Sequence, residues 1–178
     1  MTMRGNEDMD PGSIEFLRAE GFEGFRTTSQ LYADSCEELP NIRGIYAVMR
    51  ESLEPPQFMA KSTAARFRDT SPDIPIEELE KLWVPGAQIL YFARARGPGV
   101  RRLLKQRVKR YLRFGHGRHV SHWGGRAVWQ LRDHGSLRVA WKAMPRDDPS
   151  RFEGEYQDNF ERHYGALPFA NLKQERDE

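Results

Sequence analysis

The chain has 178 residues, 38% hydrophobic and 30% charged, with a net charge of +2 and a pI near 8.8. That length suits one domain around one core, and the composition is that of a folding chain rather than a disordered one. No apolar run reaches membrane-spanning length, Met1 to Gly12 lacks the basic start and apolar stretch of a signal peptide, and a single cysteine, Cys36, builds no disulfide framework; no membrane partner and a cytoplasmic location are expected.

In chain order, residues 1–40 read as a partly helical N-terminal extension. Ser13 caps a short helix over Ile14–Glu20, Gly21 ends it, and Gly21–Phe25 reads as a turn with its two aromatics packed on the core. Ser29–Cys36 is a second short helix or turn. Gly44–Met49, β-branched and aromatic behind turn residues, predicts a strand. Residues 51–85 read as a long insertion punctuated by Pro55, Pro56, Pro72, Pro75 and Pro85, with a short helix over Ile76–Trp83. Pro85-Gly86 then turns the chain into a second strand, Ala87–Ala93.

Val100, Leu103, Leu104, Val108, Tyr111 and Leu112 recur at three- and four-residue steps, predicting an amphipathic helix between Pro98-Gly99 and Gly115. A glycine- and histidine-rich loop, Gly115–Gly125, leads to a helix over Arg126–Arg132 and a third strand, Leu137–Trp141. Pro149-Ser150 opens a last helix with Phe152, Tyr156, Phe160 and Tyr164 on one stripe, and Gly165 stops it. Leu167–Asn171 is a closing turn. The expected architecture is α/β (α+β), a small three-stranded sheet flanked by helices over residues 41–173, with a tail at 174–178.

Charge is unevenly spread. From Lys81 to Arg132 there is no Asp or Glu, while thirteen Lys or Arg fall in that 52-residue window. Such a segment carries positive potential and suits a phosphate-bearing partner. The amphipathic helix bears Arg101, Arg102, Lys105, Lys109, Arg110 and Arg113 opposite its apolar stripe; all of these but Arg102, together with Arg94 and Arg126, are the candidate nucleic-acid contacts. Trp123 and Trp129 admit two readings, stacking on bases or packing in the core.

The ordered motifs resemble those of the GIY-YIG nuclease domain. Gly44-Ile45-Tyr46 matches its first tripeptide, and Leu90-Tyr91-Phe92-Ala93 stands where its YIG strand belongs. Arg107 falls in the following helix, His116, His119 and His122 in the next loop, and Glu153 at the start of the last helix. Pro168-Phe-Ala-Asn171 is similar to the family's closing asparagine motif. The resemblance covers about Ile42 to Leu172, and is nearest a bacterial branch with an extended N-terminus. It departs from the pattern at Ala93, where the family has glycine, and in the 45 positions that separate Tyr46 from Tyr91.

What the resemblance implies is a metal-dependent endonuclease hydrolysing phosphodiester bonds in DNA, with Mg2+ (or Mn2+) held by Glu153. Arg107 would grip phosphate oxygens, and Tyr46 would serve as or assist the general base. Tyr91 would position water or phosphate, His119 or His122 would support proton transfer, and Asn171 would orient its neighbours. The residues keep alternatives open. Ser150-Arg-Phe-Glu153 also fits a helix capping box, with Glu155 as the fallback ligand. Tyr46 and Tyr91 also suit strand packing. The alternative functions are a catalytically weakened nucleic-acid-binding module of the same fold, or a protein-interaction domain using the insertion.

Overall fold

The computed structural model describes residues 6–99 and 103–172. Among these, four strands form one antiparallel sheet: β1 (Glu23–Thr27), β2 (Gly44–Met49), β3 (Ile89–Ala95) and β4 (Arg138–Ala143), in the order β1-β4-β2-β3. Five α-helices accompany it: α1 (Ile14–Ala19), α2 (Thr28–Ala33), α3 (Ile76–Leu82), α4 (Leu104–Gly115) and α5 (Pro149–Tyr164). Two short 3-10 helices, Arg126–Gln130 and His134–Ser136, precede β4. No helix among the described residues is long and apolar enough to cross a membrane.

The sheet has four strands rather than the expected three. The extra one, β1, lies in the segment read from sequence as a turn. Its residues show no apolar alternation, and Gly24 and Phe25 take positive φ values of 97° and 53°. They produce a register shift against β4 between Gly24 and Arg26. A side chain at Gly24 would collide with the Trp141 ring, 2.3 Å from an ideal Cβ, so the close crossing of β1 over Trp141 requires glycine. Through this pairing the N-terminal segment belongs to the sheet itself.

The central strand β2 is buried along its whole length, between β4 and β3. Because side chains alternate, its residues feed two cores. Tyr46 and Val48 join Tyr91, Ala93, Val139 and Trp141 on the face covered by α4 and the insertion. Ile45, Ala47 and Met49 join Phe92, Ala140, Tyr156 and Phe160 on the face covered by α1 and α5.

Helix α4 forms where the periodicity predicts, beginning at Leu104; Val100 and the candidate contact Arg101 lie outside the described residues. Its first amides are satisfied from outside the helix, Leu104 N–H donating to Ile42 O and Lys105 N–H to Pro40 O. Helix α5 is capped by Asp148, whose side chain accepts from Ser150 N–H, with Pro149 in the first turn. The capping box between Ser150 and Glu153 does not form, because the helix starts before Ser150.

The insertion is fastened down. Gln130 is fully buried; its Oε1 accepts from Ile74 N–H at 2.8 Å, and its Nε2 donates to Ile74 O at 2.9 Å and Met59 O at 3.1 Å. Ala65 N–H adds a bond to Phe114 O at 2.9 Å. The expected Arg126–Arg132 helix is a tight 3-10 turn that delivers Gln130 to this position.

Candidate functional site at the outer edge of the sheet

A cleft of about 840 Å³ opens beside β3, the outermost strand on its side of the sheet. Helix α4 supplies Arg107 from one face, α5 supplies Glu153 and Gln157 from the other, and β3 runs between them with Tyr91, Ala93 and Arg94. His122 and Trp123 come from the loop after α4, and Asn171 from the closing turn. Residues up to 80 positions apart in sequence, on five different segments, are thus collected around one strand edge.

Glu153 is buried at the floor. Its Oε2 accepts from Arg94 Nη1 at 3.3 Å and its Oε1 from Gln157 Nε2 at 2.8 Å. Burial pushes its carboxyl above the ordinary value, while Arg94, Arg107 and Gln157 pull it back. Arg94, expected to contact nucleic acid, is the counter-ion of this carboxylate. Gln157 was missed from sequence, although it stands one helical turn beyond Glu153 on the same face.

Arg107 is half-buried beside the cleft, and its Nε is buried with no hydrogen-bond acceptor among the described residues. The Tyr46 hydroxyl is likewise buried, with the Tyr91 side chain within hydrogen-bonding reach. Tyr46 is fully enclosed and does not line the cleft; its ring stands edge-on to Tyr91 at 6.1 Å and tilts against Tyr111 at 5.9 Å. Burial holds its phenol well above the ordinary value, opposed by Arg107, so at neutral pH it is protonated. Tyr91 itself lines the cleft.

Gly125 sets the spacing of this aromatic group. It adopts a positive φ of 72°, and an added Cβ would lie 2.7 Å from the Tyr91 ring and 3.0 Å from Tyr111. Its carbonyl accepts from Tyr111 Oη at 2.9 Å. Glycine here lets the loop press directly onto both tyrosines.

The three histidines separate. His122 is buried against Tyr111 and Phe114, and its Nε2 donates to Gly124 O at 2.9 Å. Burial, reinforced by Arg107, pushes it down to about 3, leaving a neutral imidazole that faces the cleft. His119 is exposed and does not line the cleft. His116 stacks flat on Tyr32 at 3.6 Å, outside the cleft lining.

Asn171 spends its amide on β3. Oδ1 accepts from Phe92 N–H and Nδ2 donates to Phe92 O, both at 2.9 Å. It orients the strand that carries Tyr91 and Arg94. Ala93 sits opposite Tyr46 in the β2–β3 register with no positive φ, so the position makes no torsional demand for glycine.

The basic residues of α4 divide between two faces, as 100° steps dictate. Arg107 borders the cleft, and Arg110 is near enough for its charge to act on Tyr46 and His122. Lys109 and Arg113 instead line a separate hollow with Tyr32 and Cys36, and Lys105 Nζ reaches Glu37 O at 3.4 Å. Arg126 lies over the Trp123 ring at 4.5 Å. Trp129 is fully buried, whereas Trp123 is half-buried in the cleft wall. Phe67 and Arg68, from the insertion, complete the mouth; nothing in the sequence pattern singled them out.

Comparison with known proteins gives no match: no family model, no curated protein and no solved structure is recognisably similar to this chain.

Proposed function

We propose that the cleft binds a phosphodiester of DNA and hydrolyses it with the help of a divalent cation, as the likeness to GIY-YIG nucleases implies. The observation that carries this reading is Arg107. Arg107 lines a cleft that also holds Arg68 and Arg94, and its buried Nε has no acceptor among the described residues. A buried donor lacking a partner costs about 1–3 kcal/mol, and a phosphate oxygen supplies the missing acceptor. The guanidinium fork matches phosphate geometry better than an ammonium would.

The residues present suit a magnesium or manganese ion. Glu153 is a hard carboxylate in the cleft, with one hydrogen bond on each oxygen and lone pairs for about four in all. Among the described residues no three His, Cys, Asp or Glu side chains group together. The ion would therefore rest on Glu153, the substrate phosphate and water, an arrangement magnesium accepts. When bound, it supplies Lewis-acid polarisation of the phosphoryl oxygens.

The chain's own groups then divide the remaining work. Arg107 holds the non-bridging oxygens and stabilises charge that grows as the bond breaks. Arg94, paired with Glu153, would turn toward the phosphate were that carboxylate neutralised by a bound cation. Tyr91 orients the phosphate at the cleft wall, with Tyr46 behind it as a protonated phenol that donates rather than abstracts. His122, neutral, offers Nδ1 as an acceptor. His119 has no place in this scheme.

The test is cleavage of labelled single-stranded, nicked and branched DNA with magnesium or manganese, comparing the wild type with Glu153→Ala and Arg107→Ala. Metal-dependent cleavage lost in both variants is expected. The Arg94–Glu153 pair favours one rival, a binding module whose carboxylate is neutralised internally. Salt-sensitive DNA binding that survives Glu153→Ala, with no cleavage of any substrate, would establish that rival instead.

A further inference from the structure

We infer that the insertion builds a stacking platform for an unpaired DNA base at the mouth of the cleft, so that the substrate is single-stranded or locally opened DNA rather than intact duplex. This rests on the DNA reading above and narrows its substrate class.

The platform begins with a tight hairpin. Phe67 N–H donates to Thr70 O at 3.0 Å and Thr70 N–H to Phe67 O at 2.8 Å. The two residues between them, Arg68 and Asp69, both take positive φ, 47° and 63°. Asparagine and glycine are the usual occupants of such a turn, because other side chains resist the left-handed region. The turn fixes Phe67 and Arg68 at the cleft.

Phe67 belongs to neither hydrophobic core. Its ring meets Trp123 at 5.9 Å with a 35° tilt. Each ring carries a guanidinium, Arg68 at 5.1 Å from Phe67 and Arg126 at 4.5 Å from Trp123. Two half-buried aromatic rings interleaved with two cations, in the cleft that holds Arg107 and Glu153, form the combination that binds single strands. The rings stack on a base whatever its identity, and the cations meet the phosphates that flank it. A base inside a duplex already has both faces covered by its neighbours and must leave the stack to reach such a platform.

The experiment is binding, in EDTA, of a single-stranded oligonucleotide carrying 2-aminopurine and of the same sequence as a blunt duplex. The proteins are the wild type, Phe67→Leu and Trp123→Ala, with thermal midpoints recorded for each. The expected result is quenching of the single-stranded probe by the wild type and weaker duplex binding. Phe67→Leu, which keeps apolar volume but no ring, should lose quenching at an unchanged midpoint. Trp123→Ala should weaken single-strand binding about tenfold or more without altering duplex binding. Equal affinity for both forms in the wild type, or full quenching by Phe67→Leu, overturns the platform. Because quenching is read in EDTA and cleavage in the separate metal-containing assay above, the outcomes separate: duplex cleavage with metal but no quenching in EDTA would sink the platform alone, and quenching without cleavage under any metal would sink hydrolysis alone.

Discussion

Arg94 and Glu153 meet at the outer edge of the sheet, Nη1 of the guanidinium 3.3 Å from Oε2 of the carboxylate. One comes from β3 and the other from α5, so the pair joins the strand to the helix packed against it. Its electrostatics are unequal: burial raises the carboxyl of Glu153, and Arg94 only partly offsets this.

The first prediction concerns that imbalance. An acid whose folded-state pKa is raised stabilises the fold at low pH and loses that contribution as pH rises through the folded value. Glu153→Gln removes the ionisation. Its melting temperature should therefore improve relative to the wild type as pH rises from about 4 to 7. A difference that stays constant across that range would show that the carboxylate is fully compensated by its partners. Arg94→Met should lower stability at neutral pH by about 1–2 kcal/mol, less than for a fully buried pair because the arginine side chain keeps 29% exposure.

His122 gives a second pH signature, of opposite sign. Its imidazole is pushed down to about 3 by burial, so the unfolded chain takes up a proton near the ordinary value of 6.5 that the folded chain refuses. Its contribution to stability is present above the unfolded value and is lost as pH falls, by about 1.4 kcal/mol per pH unit. His122→Gln should flatten the wild type's acid denaturation curve between those two values. Titration of His122 near 6.5 in a proton-resolved spectrum would contradict the burial.

Gln130 should be worth more than its solvent-free position suggests. Gln130→Ala leaves Ile74 N–H, Ile74 O and Met59 O without partners, at a cost of about 2–4 kcal/mol. The visible consequence is local: trypsin should cut at Lys61, Arg66 or Arg68 in the variant under conditions where the wild type resists. Resistance in both would mean that other contacts hold the insertion.

Asn171 tests the closing turn. Asn171→Ala removes two hydrogen bonds to Phe92 and should cost about 1–3 kcal/mol. The Phe92 amide should then exchange with solvent far faster than its neighbours in β2. Unchanged protection at Phe92 would leave the asparagine without a structural task.

The sequence exposed the elements whose periodicity is strong. The apolar spacing of Leu104, Val108, Tyr111 and Leu112 placed α4, the Phe152–Tyr164 stripe placed α5, and Gly44–Met49 placed β2. It concealed β1, because a five-residue strand with a bulge at Gly24 and Phe25 has the composition of a turn. At the site, Tyr91, Arg94, Arg107, His122, Glu153 and Asn171 do converge, but their partners were invisible. That Glu153 faces Arg94 instead of capping α5 depends on Asp148 starting the helix earlier. That Tyr46 is enclosed and His119 exposed depends on which side of the sheet the loop folds over. Phe67, Arg68 and Gln130 act through tertiary contacts across the insertion, and no local pattern encodes them.

The hold of Asn171 on β3 also bears on behaviour at high concentration. An outermost strand presents backbone groups that can template a strand of another molecule. Here the asparagine amide engages both groups of Phe92, and Ala170 N–H engages Leu90 O at 2.8 Å. The closing turn thus works as a stopper on β3, occupying the backbone groups at which a strand from another copy of the chain would otherwise add.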